Sequence, residues 1–188
     1  MSILKIARMG HPVLNQTAQR VSHPSDPAVQ RLIADMIETM EDAGGTGLAA
    51  PQVHEGLRIM VFFVSGRRAG AEAKRLGYDQ DDLPATAAVP LTVLINPEFE
   101  ILDGHLEEGW EGCLSIPELM GQVPRPARIR YRGITAEGEE LVREAAGFHA
   151  RVFLHEYDHL DGILYPERMT DLKKLIFSSE IAYYQENV

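Results

Sequence analysis

The residues best suited to chemistry in this chain of 188 are one cysteine and a pair of histidines. The segment "HEYDH", residues 155 to 159, places His155 and His159 four apart. On a helix that spacing sends both imidazoles out from one face, about 6 Å apart at Cβ, close enough to grip a single metal ion. Glu156 follows the first histidine and is turned off that face, so its carboxylate falls beside an ion rather than on it. That is the place of a general base acting on a water molecule. A chance pair among seven histidines is the plain alternative, and the glutamate at this offset argues against it.

A catalytic site of this kind takes three protein ligands and leaves one position open. Cys113, the only cysteine, is the natural third, because a thiolate binds transition metals well and offsets part of the ion's charge. An arbitrary lone cysteine is a small buried hydrophobe. This one lies in "EGCLS" (111–115), where Gly112 permits a close backbone approach and the Leu114 N–H is a candidate donor to a developing oxyanion. A third segment, "GGTGLAAPQ" (44–52), matches a relaxed dinucleotide fingerprint at Gly45, Gly47 and Ala50. That fingerprint should follow a strand and open a helix; here it follows a helix, and Pro51 stops another from continuing. It reads better as a flat strand with little side-chain bulk, its backbone free to pair with an extended peptide, ending on Gln52 with an amide able to donate.

Several elements must hold these groups. Asp26 reads as an N-cap and Pro27 as the first residue of an amphipathic helix, with Val29, Leu32, Ile33, Met36, Ile37 and Met40 on its apolar face and Gly44 and Gly45 ending it. "LRIMVFFV" (57–64) and "LTVLINP" (91–97) predict strands, the second closed by a turn at Asn96-Pro97. Residues 65 to 90 lack a clear period and predict an exposed insertion. "RIRYR" (128–132) alternates, which predicts a half-buried strand with Arg128, Arg130 and Arg132 on its wet face. The metal-binding helix is predicted at about 147 to 160.

With 45% hydrophobic residues, a chain of this length can bury a real core as one domain, 1–188. No run approaches the roughly 18 apolar residues of a membrane span, and "MSILKIARMGHP" at the start has no signal-peptide core. A single thiol suits the reducing cytoplasm. The formal charge of −10 disfavours unaided binding to nucleic acid or anionic lipid, so a peptide or protein partner is expected.

The three segments together, Gly45 to Gln52, Glu111 to Ser115 and His155 to His159, resemble in order and spacing the signature motifs of peptide deformylases. The resemblance extends from "ILKIARMGHPVL" to "HLDGILYPERM". It implies an α+β fold of mostly antiparallel strands around the metal-binding helix, with the N-terminal amphipathic helix and a short C-terminal one. It implies removal of the formyl group from N-formylmethionyl nascent peptides, with Cys113, His155 and His159 as ligands and Glu156 as base and acid. Gln52 and the Leu114 N–H would be oxyanion donors, and Thr46, Gly47, Glu111 and Gly112 would meet the substrate. The implied ion is iron(II) in the cell, with zinc, nickel or cobalt able to replace it in purified protein. Thr46 departs from a larger aliphatic, and Leu154 from a glutamine.

The resemblance also suggests Arg125, at the end of "VPR", as the cation for Asp158. A zinc protease shares H-E-x-x-H but not an upstream cysteine ligand, and a purely structural ion would want a fourth protein ligand and leave Glu156 and Gln52 without a role. The tail from Asp171 to Val188 carries a negative net charge, so it offers ribosomal RNA little. It is expected to pack through Leu172, Leu175 and Ile176, with ribosome association weak or through another surface.

Overall fold

The structure, a computed structural model, describes residues 2–79 and 81–185. Its centre is helix α4 (Gly147–Leu160), in which all but Phe148 and Tyr157 are buried. A helix covered on every side must be wrapped by other elements. The wrapping is a six-stranded, wholly antiparallel sheet in the order β1-β2-β3-β4-β5, with β6 added to β4. The strands are β1 (Gly47–Ala49), β2 (Ile59–Val64), β3 (Val89–Cys113), β4 (Ile116–Ile134), β5 (Glu140–Ala146) and β6 (Leu175–Phe177). Phe153 of α4 stacks on Tyr131 of β4, with ring centroids 4.4 Å apart, and meets Phe62 of β2 edge-on. The fold is α+β, as expected.

Helix α1 (Pro27–Asp42) starts and stops where its caps predict: the Asp26 side chain accepts from the Ala28 N–H, and Pro27 occupies the first turn. Its Ile33, Met36 and Met40 join β1 and β2 in a second apolar cluster. The alternation in "RIRYR" also holds, with Ile129 and Tyr131 buried and the three arginines partly exposed. Each arginine pairs across strands, Arg130 with Glu100 and Glu144, Arg132 with Glu98, and Arg128 with Glu144.

Three expectations need correction. The 65–90 segment is not an exposed insertion throughout: Gly66–Arg75 forms helix α2, capped by Ser65, a short helix α3 (Leu83–Thr86) follows, and Ala69, Ala73 and Ala85 are buried. The buried face of α2 is Ala69 and Ala73, and the rest of the helix is mostly charged, so no large apolar residue marks its core side. Asn96-Pro97 does not end a strand. Asn96 takes a left-handed φ of 52° inside β3, where the register with β4 shifts, and its amide exchanges two hydrogen bonds with the Val21 backbone. The irregularity is a bulge that ties down the N-terminal segment. In the tail, Leu175 and Ile176 do pack, as β6 on β4, but Leu172 is 69% exposed. The tail's short helix is α5 (Ile181–Gln185), with Tyr184 edge-on to Trp110; Glu186, counted in the tail's charge, lies outside the described residues.

One core group couples the fold to pH. His149, 2% exposed, shares a 3.0 Å hydrogen bond with the Tyr131 hydroxyl, and burial, assisted by the charge of Arg143, lowers its pKa from 6.5 to about 4. Between those values the unfolded chain binds the proton and the folded chain refuses it. Stability is therefore lost as pH falls through this window, by at most about 3 kcal/mol from this group. Denaturant titrations at pH 7 and pH 4 should show that His149→Phe loses less stability on acidification than the parent; equal losses would remove His149 from the account.

Candidate metal centre and active site

The two sequence-distant parts of the site meet because the tip of the β3–β4 hairpin packs on α4. Cys113 pairs with Ile116 across that tip, so only Leu114 and Ser115 make the turn. The Cys113 Sγ is 3.3 Å from His159 Nε2, and one donor atom from each of Cys113, His155 and His159 lies within 4.8 Å of the others. Donors bound tetrahedrally at about 2.0–2.3 Å stand roughly 3.5 Å apart, so the spacing suits one ion. The chemistry of the set, one sulfur and two imidazoles, suits iron(II), zinc, nickel or cobalt.

Protonation chemistry fits the same use. Burial works against ionising the Cys113 thiol, yet the adjacent His159 and His155 outweigh it and hold its pKa well below the thiol range. The Ser115 N–H and the Gln52 amide also point at the sulfur, at 3.4 and 3.5 Å. A cation competes with protons for such a cluster.

Beneath His155 lies a buried ion-pair hub. The His155 Nδ1 is 2.8 Å from Glu111 Oε2, which leaves Nε2 as the ligand atom and fixes the ring. Glu111 accepts two bonds from Arg125, at 2.8 and 2.9 Å, and one from Arg151 at 3.0 Å. Burial alone would raise the pKa of Glu111, but Arg125 overrides it and keeps the group anionic. Arg125 reaches on to Asp158 at 2.6 Å, the pairing expected from the sequence, and Arg168 pairs with Asp158 as well. Glu111 borders the cleft, but its carboxylate faces this hub rather than a substrate.

Arg151 is the main residue the sequence reading missed. It lies four residues before His155, on the same face of α4, and that spacing was the available signal. Its guanidinium donates to the carbonyls of Glu107, Gly109 and Val123 as well as to Glu111, fastening α4 to both strands of the hairpin.

The other expected residues surround one cleft of about 430 Å³. Thr46, Gly47, Gln52, Gly112, Leu114 and Glu156 all line it. The Ala49 N–H donates to Gln52 Oε1 at 2.8 Å, and since a backbone N–H can only donate, the amide NH₂ must face Cys113 and Ser115. Gly47 has a steric reason to be glycine: a Cβ there would stand 2.2 Å from Glu156 Oε1. Gly112 has none from the protein, for a Cβ would meet nothing nearer than Leu119 O at 3.7 Å. Glu156 Oε2 is buried without a hydrogen-bond partner among the described residues. Burial pushes its carboxyl up to about 7, against the pull of His155 and His159, and a dication alongside would draw it down again. Thr46, the departure from a larger aliphatic, accepts from Arg68 of α2 at 2.6 Å, which ties that helix to the rim of the cleft.

Comparison with known proteins agrees with this geometry. The polypeptide deformylase family profile matches residues 3–175. Peptide deformylase 2 of Bordetella bronchiseptica is 46% identical over 170 residues, covering 90% of this chain and 89% of that protein. A class I type b peptide deformylase from Acinetobacter baumannii, solved with Met-Ala-Ser bound, superposes with a TM-score of 0.75 at 31% identity, covering 89% of this chain and 98% of the other. The Ehrlichia chaffeensis peptide deformylase gives a TM-score of 0.80 at 27% identity, over 98% and 96%. The chain belongs to the peptide deformylase family, the metal-dependent hydrolases that remove the N-terminal formyl group from newly made polypeptides.

Proposed function

We propose that residues 1–188 act as one catalytic domain in which Cys113, His155 and His159 hold a single divalent ion, iron(II) in the cell, and Glu156 moves the protons of deformylation. The observation that carries this is Glu156 Oε2, buried without a hydrogen-bond partner among the described residues, in the cleft that Cys113 and His155 line, with His159 completing their donor cluster. When bound, such an ion supplies Lewis acidity and makes water ionisable near neutral pH. Glu156 takes the proton of the attacking water and later returns it to the departing amine, giving formate and a free methionine N-terminus. Gln52, held by Ala49, and the Leu114 N–H donate to the formyl oxygen as it gains charge. Losing one such donor typically costs about 2.7–4 kcal/mol of barrier. The methionine side chain lies against the apolar wall of Trp110, Phe148 and Val152, while the backbone of Thr46 and Gly47 pairs with the peptide.

The single thiol needs a reducing compartment to serve as a ligand, which supports a cytoplasmic site of action. No described helix is long and apolar enough to cross a membrane. In this reading the tail, folded against β4, leaves ribosome contact weak; strong co-sedimentation lost on deleting the tail would overturn that part. The main test is formate release from formyl-Met-Ala-Ser beside the unformylated peptide and a chelator-stripped sample. Formate from the first alone is expected. Cleavage of an internal peptide bond instead would point to a protease.

A further inference from the structure

The cleft borders a second groove that the reaction itself does not use. This groove, about 440 Å³, is lined by Gly44, Gly45, Phe63, Val89, Pro90 and Leu91, with Glu41 at its rim. Gly44 and Gly45 line both spaces. Its floor is a β-bulge: Phe62 pairs with Thr92 and Val64 with Val89, so Phe63 alone opposes Pro90 and Leu91. Such a bulge re-aims side chains, and here Leu91 is left 45% exposed.

The direction of the substrate follows from what closes each end of β1. β1 is the edge strand of the sheet, with β2 on one side only. The reacting end of a peptide on its free edge must lie by Glu156, which abuts Gly47, and by Gln52. Beyond Gly47 the way is shut, because Leu48, Ala49 and Ala50 are fully buried. The remaining exit passes Thr46, Gly45 and Gly44, which makes the peptide antiparallel to β1. Thr46 bends and Gly44 turns with a left-handed φ of 64°, so the path from Gly47 to Gly44 spans at most roughly 10 Å, no more than about three extended substrate residues. The fourth residue then arrives where the second groove opens.

We propose that the groove formed by Phe63, Val89, Pro90 and Leu91 is a subsite for the fourth and fifth residues of the substrate, selecting apolar side chains there. This deepens the reading of Cys113, His155, His159 and Glu156 as the reaction centre and rests on it. The occupant is the substrate's own continuation because the groove shares Gly44 and Gly45 with the cleft and lies at the open end of the path along β1. Burying part of a leucine side chain supports roughly a tenfold gain in kcat/KM.

The experiment compares formyl-Met-Ala-Ser with two hexapeptides, formyl-Met-Ala-Ser-Leu-Leu-Ala and formyl-Met-Ala-Ser-Ser-Ser-Ala. The leucine peptide should exceed the serine peptide by roughly tenfold in kcat/KM, mainly through KM. Leu91→Asp should erase that difference and leave formyl-Met-Ala-Ser within about twofold of the parent, whereas Leu91→Met should keep it. Equal rates for the two hexapeptides in the parent, with the tripeptide turned over normally, would overturn the subsite alone. So would a Leu91→Asp variant that slows all three peptides alike. No turnover of the tripeptide by the metal-loaded parent would remove the reaction centre and the subsite with it.

Discussion

Glu156→Gln is expected to keep one bound ion per chain and to lose about 10²- to 10⁴-fold in kcat, the usual worth of a positioned proton-transfer group. The variant keeps the shape of the side chain beside Gly47 and removes only its capacity to accept a proton. Its melting temperature should not fall, because a buried carboxylate whose pKa is driven up by desolvation is replaced by a neutral amide. Cys113→Ala should behave differently, losing the ion together with the activity. Metal analysis of both purified variants, beside steady-state formate release, separates the two roles. A Glu156→Gln protein that sheds its ion would make Glu156 a ligand and end its assignment as the base.

Arg125→Met should cost about 3–5 kcal/mol of stability, since it strands two carboxylates that the protein has removed from water. Glu111 would keep only Arg151 and His155, and Asp158 only the half-exposed Arg168. The effect should extend to the metal, because Glu111 orients His155; loss of such support typically weakens metal binding by about 10- to 100-fold. Urea denaturation of the parent and variant, followed by competition with a chelator, measures both. A loss below about 1 kcal/mol with unchanged metal affinity would show that the hub is a passive ion pair.

The cluster of Cys113, His155 and His159 was legible in the sequence because its geometry is local or chemically unusual. His155 and His159 need only a helix to face together, and Cys113 was the only thiol available. The place of Glu156 followed from its offset by one residue from His155, whereas the oxyanion role of Gln52 came from the family resemblance. The hub was less legible: Glu111 stands two residues from Cys113 on β3, and nothing in the order of residues says that its carboxylate turns under His155 instead of toward a substrate. That turn is set by Arg125 on the facing strand and Arg151 on α4, three elements that only the packed sheet brings together.

The fold shows the same division. The α1 boundaries were readable because Asp26, Pro27 and the glycines beyond it act on their immediate neighbours. The "RIRYR" strand was readable because burial alternates with the pleat. Helix α2 was not, since its two-sided pattern is carried by charges opposite two buried alanines, with no large apolar residue to mark a core face, and its partners, Thr46 and Phe148, are far away in sequence. The continuation of β3 through Asn96 was hidden for a related reason. A residue type that favours turns was used there to absorb a bulge and to bind the Val21 backbone.

The most direct measurement is X-ray absorption at the metal edge of protein loaded with one zinc per chain. The account predicts one sulfur scatterer at about 2.3 Å and two imidazole nitrogens at about 2.0–2.1 Å, with room for one further light atom. A coordination shell without sulfur, or one unchanged by Cys113→Ala, would contradict it.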